Sequence, residues 1–557
     1  ENFCASLSNM KDIYNYKENI VDTDLPRWDF RLEQQVTTGK QGIITNQDSN
    51  SDRYVIDLFA TYNKTIARKH NIGVLAGYNQ EYCKAWWFNV RKAGLISLST
   101  PVLSAASDLQ NSGGGKDDYA MMSYFGRINY DYAGKYLLEA NVRLDGSSRF
   151  APGNRWGTFP SFSAAWRISE EAFWENLKPV VDNFKIRASW GRLGNNGIGN
   201  YDWQNVYSPA NTSFGDAIQQ GVWTTAIANR NISWEKTDVV DLGLDVNLFG
   251  NLSLTFDYYN KLTHGILYRN PIPYVNGGLA APMVNSAKVR NRGFEFSASY
   301  NKMLGDLGLS VSVNGAYNRN KIIDYKGDYL ETNGATVWTE NQPIGKFYIR
   351  EVDHIVQDKA EIDKLVSEGW TFSPSRPEPG DFLYKDLNND KRIDDKDRVL
   401  KGQPLPLFTF GGSIALSYKN FDFNALFTGV AGWDRYLSTG IFSLTNAETE
   451  RLFLKQFQNQ WSETNRNTSI PKLYASNEKN NQVSDYYLYD ASFLRVKTIQ
   501  LGYTIPKNLI PKVRIRAYCN LENFFTITSY PGMDPEMDGD VGYPILKTVS
   551  LGVNIKF

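Results

Sequence analysis

Val239–Phe249 reads VVDLGLDVNLF. Val240, Leu242, Leu244, Val246 and Leu248 alternate with Asp241, Gly243, Asp245 and Asn247. Successive side chains of a strand point to opposite faces, so this segment has one apolar and one polar face. The pattern recurs after a tight link. Leu252, Leu254, Phe256 and Tyr258 alternate with Ser253, Thr255 and Asp257. It returns in Phe294–Tyr300, in Leu309–Tyr317 and at the end, where Val549, Leu551, Val553, Ile555 and Phe557 alternate with Ser550, Gly552, Asn554 and Lys556.

Two packed sheets would show the same alternation. The connections discriminate. Reading back from Phe557, about sixteen strands are expected, near 547–557, 512–525, 492–505, 420–432, 407–418, 307–319, 288–301, 251–261, 237–249, 184–194, 157–169, 134–145, 120–132, 71–90, 52–66 and 27–38. Tight links at Ala67–His70, Tyr132–Gly134, Phe249–Asn251, Lys302–Leu307 and Tyr418–Phe421 alternate with long ones at 39–51, 91–119, 195–236, 262–287, 320–406 and 433–491. The link at 170–183 is the one longer turn on the short side. A transmembrane antiparallel β-barrel explains this rhythm, with tight turns at the periplasmic rim and long loops at the extracellular one. Backbone groups in hydrocarbon need internal partners, which closes the sheet. The expected fold class is therefore all-β, a transmembrane barrel with its apolar face on lipid and its polar face on a wet lumen. Tyr130, Tyr132, Tyr136, Trp166, Tyr258 and Tyr503 would sit at the headgroup belts.

Composition agrees. The 557 residues include 33 Tyr, 30 Phe, 14 Trp and 44 Gly, a sheet-favouring mixture. Mean hydropathy is −0.44, with no apolar run near the ~18 residues of a membrane helix. Lys+Arg 60 balances Asp+Glu 60, so no general field draws nucleic acid to the chain. Cys4, Cys83 and Cys519 are far apart and form no C-x-x-C, which supports neither a zinc ribbon nor a disulfide framework.

Several blocks resemble the SusC/RagA type of TonB-dependent outer-membrane transporter. Asn141–Phe162, NVRLDGSSRFAPGNRWGTFPSF, followed by SAAWRISE to Glu170, is similar to the family's central signature. Ile186–Ile198 (IRASWGRLGNNGI), Trp234–Asp245 (WEKTDVVDLGLD) and Val289–Glu295 (VRNRGFE) follow in family order. Phe493–Pro506 (FLRVKTIQLGYTIP), Asn520–Glu536 (NLENFFTITSYPGMDPE) and Tyr543–Phe557 (YPILKTVSLGVNIKF) resemble the last strands. The likeness runs from about Asp52 to the end. It implies a 22-stranded barrel with an N-terminal plug, importing oligosaccharides or peptides across the outer membrane of a Gram-negative bacterium. It implies energy from the TonB complex and a SusD-like surface lipoprotein as a lid. No plug or TonB-contacting segment is read here. The whole of 1–557 is expected to be the C-terminal part of such a barrel, with about six strands and the plug outside it, and by itself is expected neither to gate nor to couple to TonB. The alternative is a passive outer-membrane pore or a surface binding and adhesion barrel.

Asp386–Asp397 (DLNNDKRIDDKD) has calcium-loop spacing. Asp386, Asn388, Asp390, Asp394 and Asp397 would offer side-chain oxygens and Arg392 its carbonyl. Lys391 in place of Gly and Asp397 in place of Glu depart from that pattern. No cofactor is required, and a structural calcium is what this loop would take; the bland reading is a solvated acidic turn. Asp534, Glu536, Asp538 and Asp540 make a second acidic cluster, read as a solvated loop. Ser112–Lys116 (SGGGK) lacks the phosphate-loop frame. His70, His264 and His354 are scattered, with no Ser/His/Asp or Cys/His grouping, so no enzyme activity is expected. For cargo, Tyr201, Trp203, Trp223 and Trp338 in long loops are the aromatic candidates, because sugars stack on flat rings.

Overall fold

The computed structural model describes residues 43–557, apart from 97–101, 326–329, 439–441, 445–454, 475–478, 538–542 and the single positions 216, 271, 274, 276, 333, 507, 511 and 544. Before residue 43 it describes the strands Asn2–Ser8, Glu18–Asp22, Trp28–Asp29 and Gln34–Gln35. Among the described residues no helix is long and apolar enough to cross a membrane; the longest, Lys359–Ser367, has 9 residues. The chain divides into two compact units.

The first unit comprises Glu1–Ala164, Gly191–Thr237 and Gly265–Asn285. Its frame is an antiparallel meander of Ile43–Ile66, His70–Leu95, Ala106–Tyr132 and Tyr136–Ser147. The tight turns expected at 67–70 and 132–134 are present, with Ala67, Arg68, Ala133 and Gly134 at positive φ. That is the conformation two-residue hairpin turns need to match strand twist. The links expected at 39–51 and 91–119 are largely strand instead. The first three strands run 24, 26 and 27 residues, where ~9–11 suffice to cross a bilayer. The long polar stretch Ser112–Asp118 broke the alternation and hid the continuation. The strand expected over 27–38 falls mostly outside the described residues; the segments that pair with Ile43–Ile66 there are Asn2–Ser8 and Glu18–Asp22.

The second unit comprises Ala165–Trp190, Asp238–His264 and Ser286–Phe557. Met283–Leu304, Leu307–Asp324, Phe408–Tyr418, Phe421–Ala431, Phe493–Thr504, Arg514–Thr528 and Thr548–Lys556 pair antiparallel in that order. Register aligns the faces. Leu309, Leu416, Phe423, Leu501, Cys519 and Leu551 form one cross-strand row. The adjacent row on the other face is Asn301, Ser310, Ala415, Asn424, Gln500, Asn520 and Ser550. Val240 and Val553 are 43% and 60% exposed, as a face turned to lipid requires; Leu244 and Phe296 are half-buried on the same kind of face.

The long segments 320–406 and 433–491 are not bare loops. They share a core in which Ile355, Phe382, Tyr384 and Ile393 pack with Leu444, Phe457, Trp461, Ile470 and Tyr487. The longer turn at 170–183 is held by the short helices Ile168–Glu170 and Ala172–Trp174 and by the Trp174 indole, which donates to the Val181 carbonyl at 3.1 Å.

Candidate functional site: a polar wall behind an apolar band

In the first unit two aromatic rows bound the apolar face. One row has Tyr54 against Tyr82 (5.6 Å), Tyr78 against Tyr124 (5.3 Å) and Tyr124 against Trp156 (6.1 Å). The other has His70 against Tyr132 (5.0 Å) and Tyr132 against Tyr136 (6.2 Å). Between them lie exposed Leu58, Val74, Ile128, Leu138 and Val142. From Tyr124 to Tyr132 is about 27 Å along the strand, or about 20 Å of height at a ~40° strand tilt, of the order of the ~25 Å apolar band of outer-membrane barrels between its aromatic girdles. The long strands continue past the first row, so their ends form a wall beyond the band.

The opposite face is polar. Asp57, Asn79, Ser123 and Asp145 align across four strands, and Arg143 donates to Asp145 at 2.6 Å and Ser123 at 2.9 Å. In the second unit Arg187 bridges three carboxylates, Asp257 at 2.6 Å, Asp245 at 3.3 Å and Asp241 at 3.4 Å, and Lys185 reaches Asp245 at 3.0 Å. The second unit also holds an open cavity of about 1120 Å³ on this wall. Its lining includes Asp257, Glu295, Ser297, Asn314, Thr428, Lys497, Glu522 and Glu536. Four carboxylates against one ammonium, set among Ser, Thr and Asn side chains, make this part of the wall acidic and rich in hydrogen-bond acceptors.

The aromatic candidates separate. Tyr201 is exposed and its hydroxyl donates to the Asp118 carboxylate. Next to it Asn200 accepts from Arg149 at 2.8 Å, and that guanidinium lies 4.8 Å over Tyr119. Trp203 packs on the buried cluster of Phe150, Phe159, Ile198, Ile232 and Trp234; it is core. Trp223 is exposed on the hairpin Tyr207–Phe214/Ala217–Thr224, opposite Ser208. Trp338, in the second unit, packs edge-on to Tyr325 at 6.3 Å. Tyr201 and Trp203 are thus near neighbours with different roles, and Trp338 is a packing residue.

In the acidic turn the side chains accept from its own backbone. Asp386 takes Asp390 N–H at 3.3 Å and Lys391 N–H at 2.9 Å, Asn388 takes Asp390 N–H at 2.9 Å, and Asp390 takes Arg392 N–H at 2.8 Å. Asp394 and Asp397 cap Asp395–Asp397 reciprocally. Lys391, where the pattern wants Gly, sits at φ 63°. Among the described residues no three His, Cys, Asp or Glu side chains are arranged to hold a metal ion. The second acidic segment is not simply solvated. Asp534 and Glu536 pair with Arg495, which is fully buried; Asp538 and Asp540 lie outside the described residues. Arg435 ties the same loop, donating to the Pro535 and Met537 carbonyls between the rings of Trp433 and Tyr530. Sequence inspection missed both arginines, because their partners are about 40 and 100 residues away.

Several groups in the folded segments 320–406 and 433–491 are shifted from their ordinary pKa. Burial pushes the Tyr436 hydroxyl up to about 12 and Tyr384 and Tyr487 well above their ordinary range. Burial alone would lower His354, but Asp353 at 2.8 Å and Glu361 at 2.6 Å outweigh it and hold its pKa above the usual value. Lys401 and Lys385 hold the Glu351 carboxyl below the usual range. His70 bonds the Tyr130 hydroxyl at 2.9 Å and His264 the Asp238 carboxylate at 3.1 Å.

An apolar band bounded by aromatic rows, backed by a polar wall of antiparallel strands, defines an outer-membrane-type β-barrel. Residues 9–523 match the TonB dependent receptor-like β-barrel family, and the chain belongs to that family, in its SusC/RagA branch. It is 31% identical to TonB-dependent receptor P3 of Formosa agariphila over 93% of its length and 54% of the relative's. It is 30% identical to TonB-dependent receptor SusC of Bacteroides thetaiotaomicron over 78% of this chain and 44% of SusC. The solved RagAB peptide transporter aligns with TM-score 0.79 at 25% identity, over 93% of this chain and 57% of that one. The chain thus spans about half the length of the relatives it matches.

Proposed function

We propose that this chain forms the barrel wall of a SusC-like outer-membrane importer of oligosaccharides or peptides in a Gram-negative bacterium. The observation that carries the reading is the register-aligned pair of faces, apolar outside and hydrogen-bonding inside, on strands that run on past the upper aromatic row. TonB-derived energy, conveyed by a plug, and a SusD-like lipoprotein resting on the long loops complete the proposal. Membership in a family of transporters supports a non-enzymatic role. The test is deletion and complementation of the gene in its native host. Loss of growth on one glycan or peptide source, dependent on TonB and restored by the gene, is expected, together with co-purification of a lipoprotein. Uptake that persists without TonB would favour the passive pore.

A further inference from the structure

The glycine run Gly113–Gly115 lies directly across from the aromatic residues Trp87 and Phe88. Gly115 pairs with Trp87, and on the other side Trp87 pairs with Ser49. A Cβ on Gly115 would fall 2.9 Å from the indole nitrogen, and one on Gly113 would fall 3.6 Å from the far ring carbons. The indole therefore lies along the glycine strand on bare backbone, and the residue stays 46% exposed.

The same-face neighbours of Trp87 are Ala85 and Asn89 along its strand, Gly113, Gly115 and Asp117 on one side, and Gln47, Ser49 and Ser51 on the other. All are small or polar, so among the described residues these neighbours give the ring no apolar surround. The register is unbroken from Trp87 down to Asn79, so the platform lies on the polar face that continues into the lumen wall, beyond the Tyr78–Tyr124 row. Beside it, the Asn89 side-chain oxygen is buried and has no hydrogen-bond partner among the described residues.

We propose that Trp87 is a stacking platform for a pyranose ring of a neutral glycan. This deepens the import reading and rests on it. A sugar ring offers an apolar face for stacking and hydroxyl donors around its edge, and it needs an open flat surface edged by polar groups. A peptide aromatic or aliphatic side chain gains most from an enclosed apolar pocket, which Gly113, Gly115 and Ser49 do not build.

The test is titration calorimetry on the full transporter in detergent, with maltohexaose, cellohexaose and laminarihexaose as probes and a Gly/Phe hexapeptide as the contrast. At least one hexasaccharide binds saturably, and Trp87→Ala weakens it roughly three- to tenfold while Trp87→Phe retains most of the affinity. Gly115→Val, which keeps the indole but pushes it off the glycine strand, weakens binding as Trp87→Ala does. Heat-modifiable gel mobility shows that each variant is a folded barrel. The proposal is overturned if no hexasaccharide binds, if Trp87→Ala binds them as the parent does, or if only the hexapeptide depends on Trp87. Uptake by cells that continues alongside any of these results leaves the import reading standing, whereas loss of TonB-dependent uptake altogether strikes that reading instead.

Discussion

The Arg187 guanidinium occupies the space that a side chain on residue 243 would need: a Cβ there would lie 2.3 Å from its central carbon. Gly243 is what lets Arg187 lie flat across the sheet and reach Asp241, Asp245 and Asp257 together. Gly243→Val is therefore expected to cost about 1–3 kcal/mol, the price of displaced charge-assisted hydrogen bonds. The midpoint of urea unfolding in detergent reads it. A midpoint within error of the parent would show that the guanidinium has another equally good seat.

Arg495 is the only cation fully enclosed with two carboxylates among the ion pairs of the described residues. Arg495→Met leaves the nearly buried Asp534 without its cation, while Glu536 is more exposed and keeps Lys497 at 3.1 Å, so the loss falls below the ~3–5 kcal/mol typical of removing one partner from a fully buried pair. Faster proteolysis of the last loop, near Pro531–Met537, is expected. Adding Asp534→Asn and Glu536→Gln should recover part of the loss; if the triple variant is as labile as the single one, the carboxylates are not the reason.

The His354 pKa is raised in the folded state, so its contribution is complete below the ordinary value of ~6.5 and is lost as pH rises through the folded value. Its partner Glu361 lies in the helix Lys359–Ser367. Hydrogen exchange of that helix should quicken as pH rises above about 6.5, beyond the intrinsic rate change, and His354→Gln should abolish the extra step. A pH-independent protection factor in the parent would remove His354 from the account.

For the Asp386–Asp397 turn, closure by its own backbone predicts that calcium adds no heat beyond an Asp386→Ala/Asp390→Ala control. Saturable heat that vanishes in the control would instead assign a bound ion to Asp386, Asn388 and Asp390.

Alternation is a local property, and it located the long paired strands from 52–66 to 547–557 but not the short strands inside the long connections, such as Tyr207–Phe214, Ala217–Thr224 and Lys346–Arg350. It stopped short where polar or glycine runs interrupted it, as at Ser112–Asp118, because period-2 contrast needs two unlike faces. It could not distinguish Trp203, which packs inward, from Trp223, which stands exposed, since both read as aromatic residues in a long connection. Nor could it show that segments 320–406 and 433–491 share one core, because Phe382 and Trp461 lie about 80 residues apart in sequence and meet only in the tertiary structure.

Strand positions, the two-faced character of the wall and the tight turns were written in the chain itself, since each depends on residues a few positions apart. Which residues stand opposite one another was decided only in three dimensions. Trp87 over Gly115, Arg495 between Asp534 and Glu536, and Arg187 above Gly243 are products of strand register and loop closure, and register is a contact between distant segments that no single window of sequence contains.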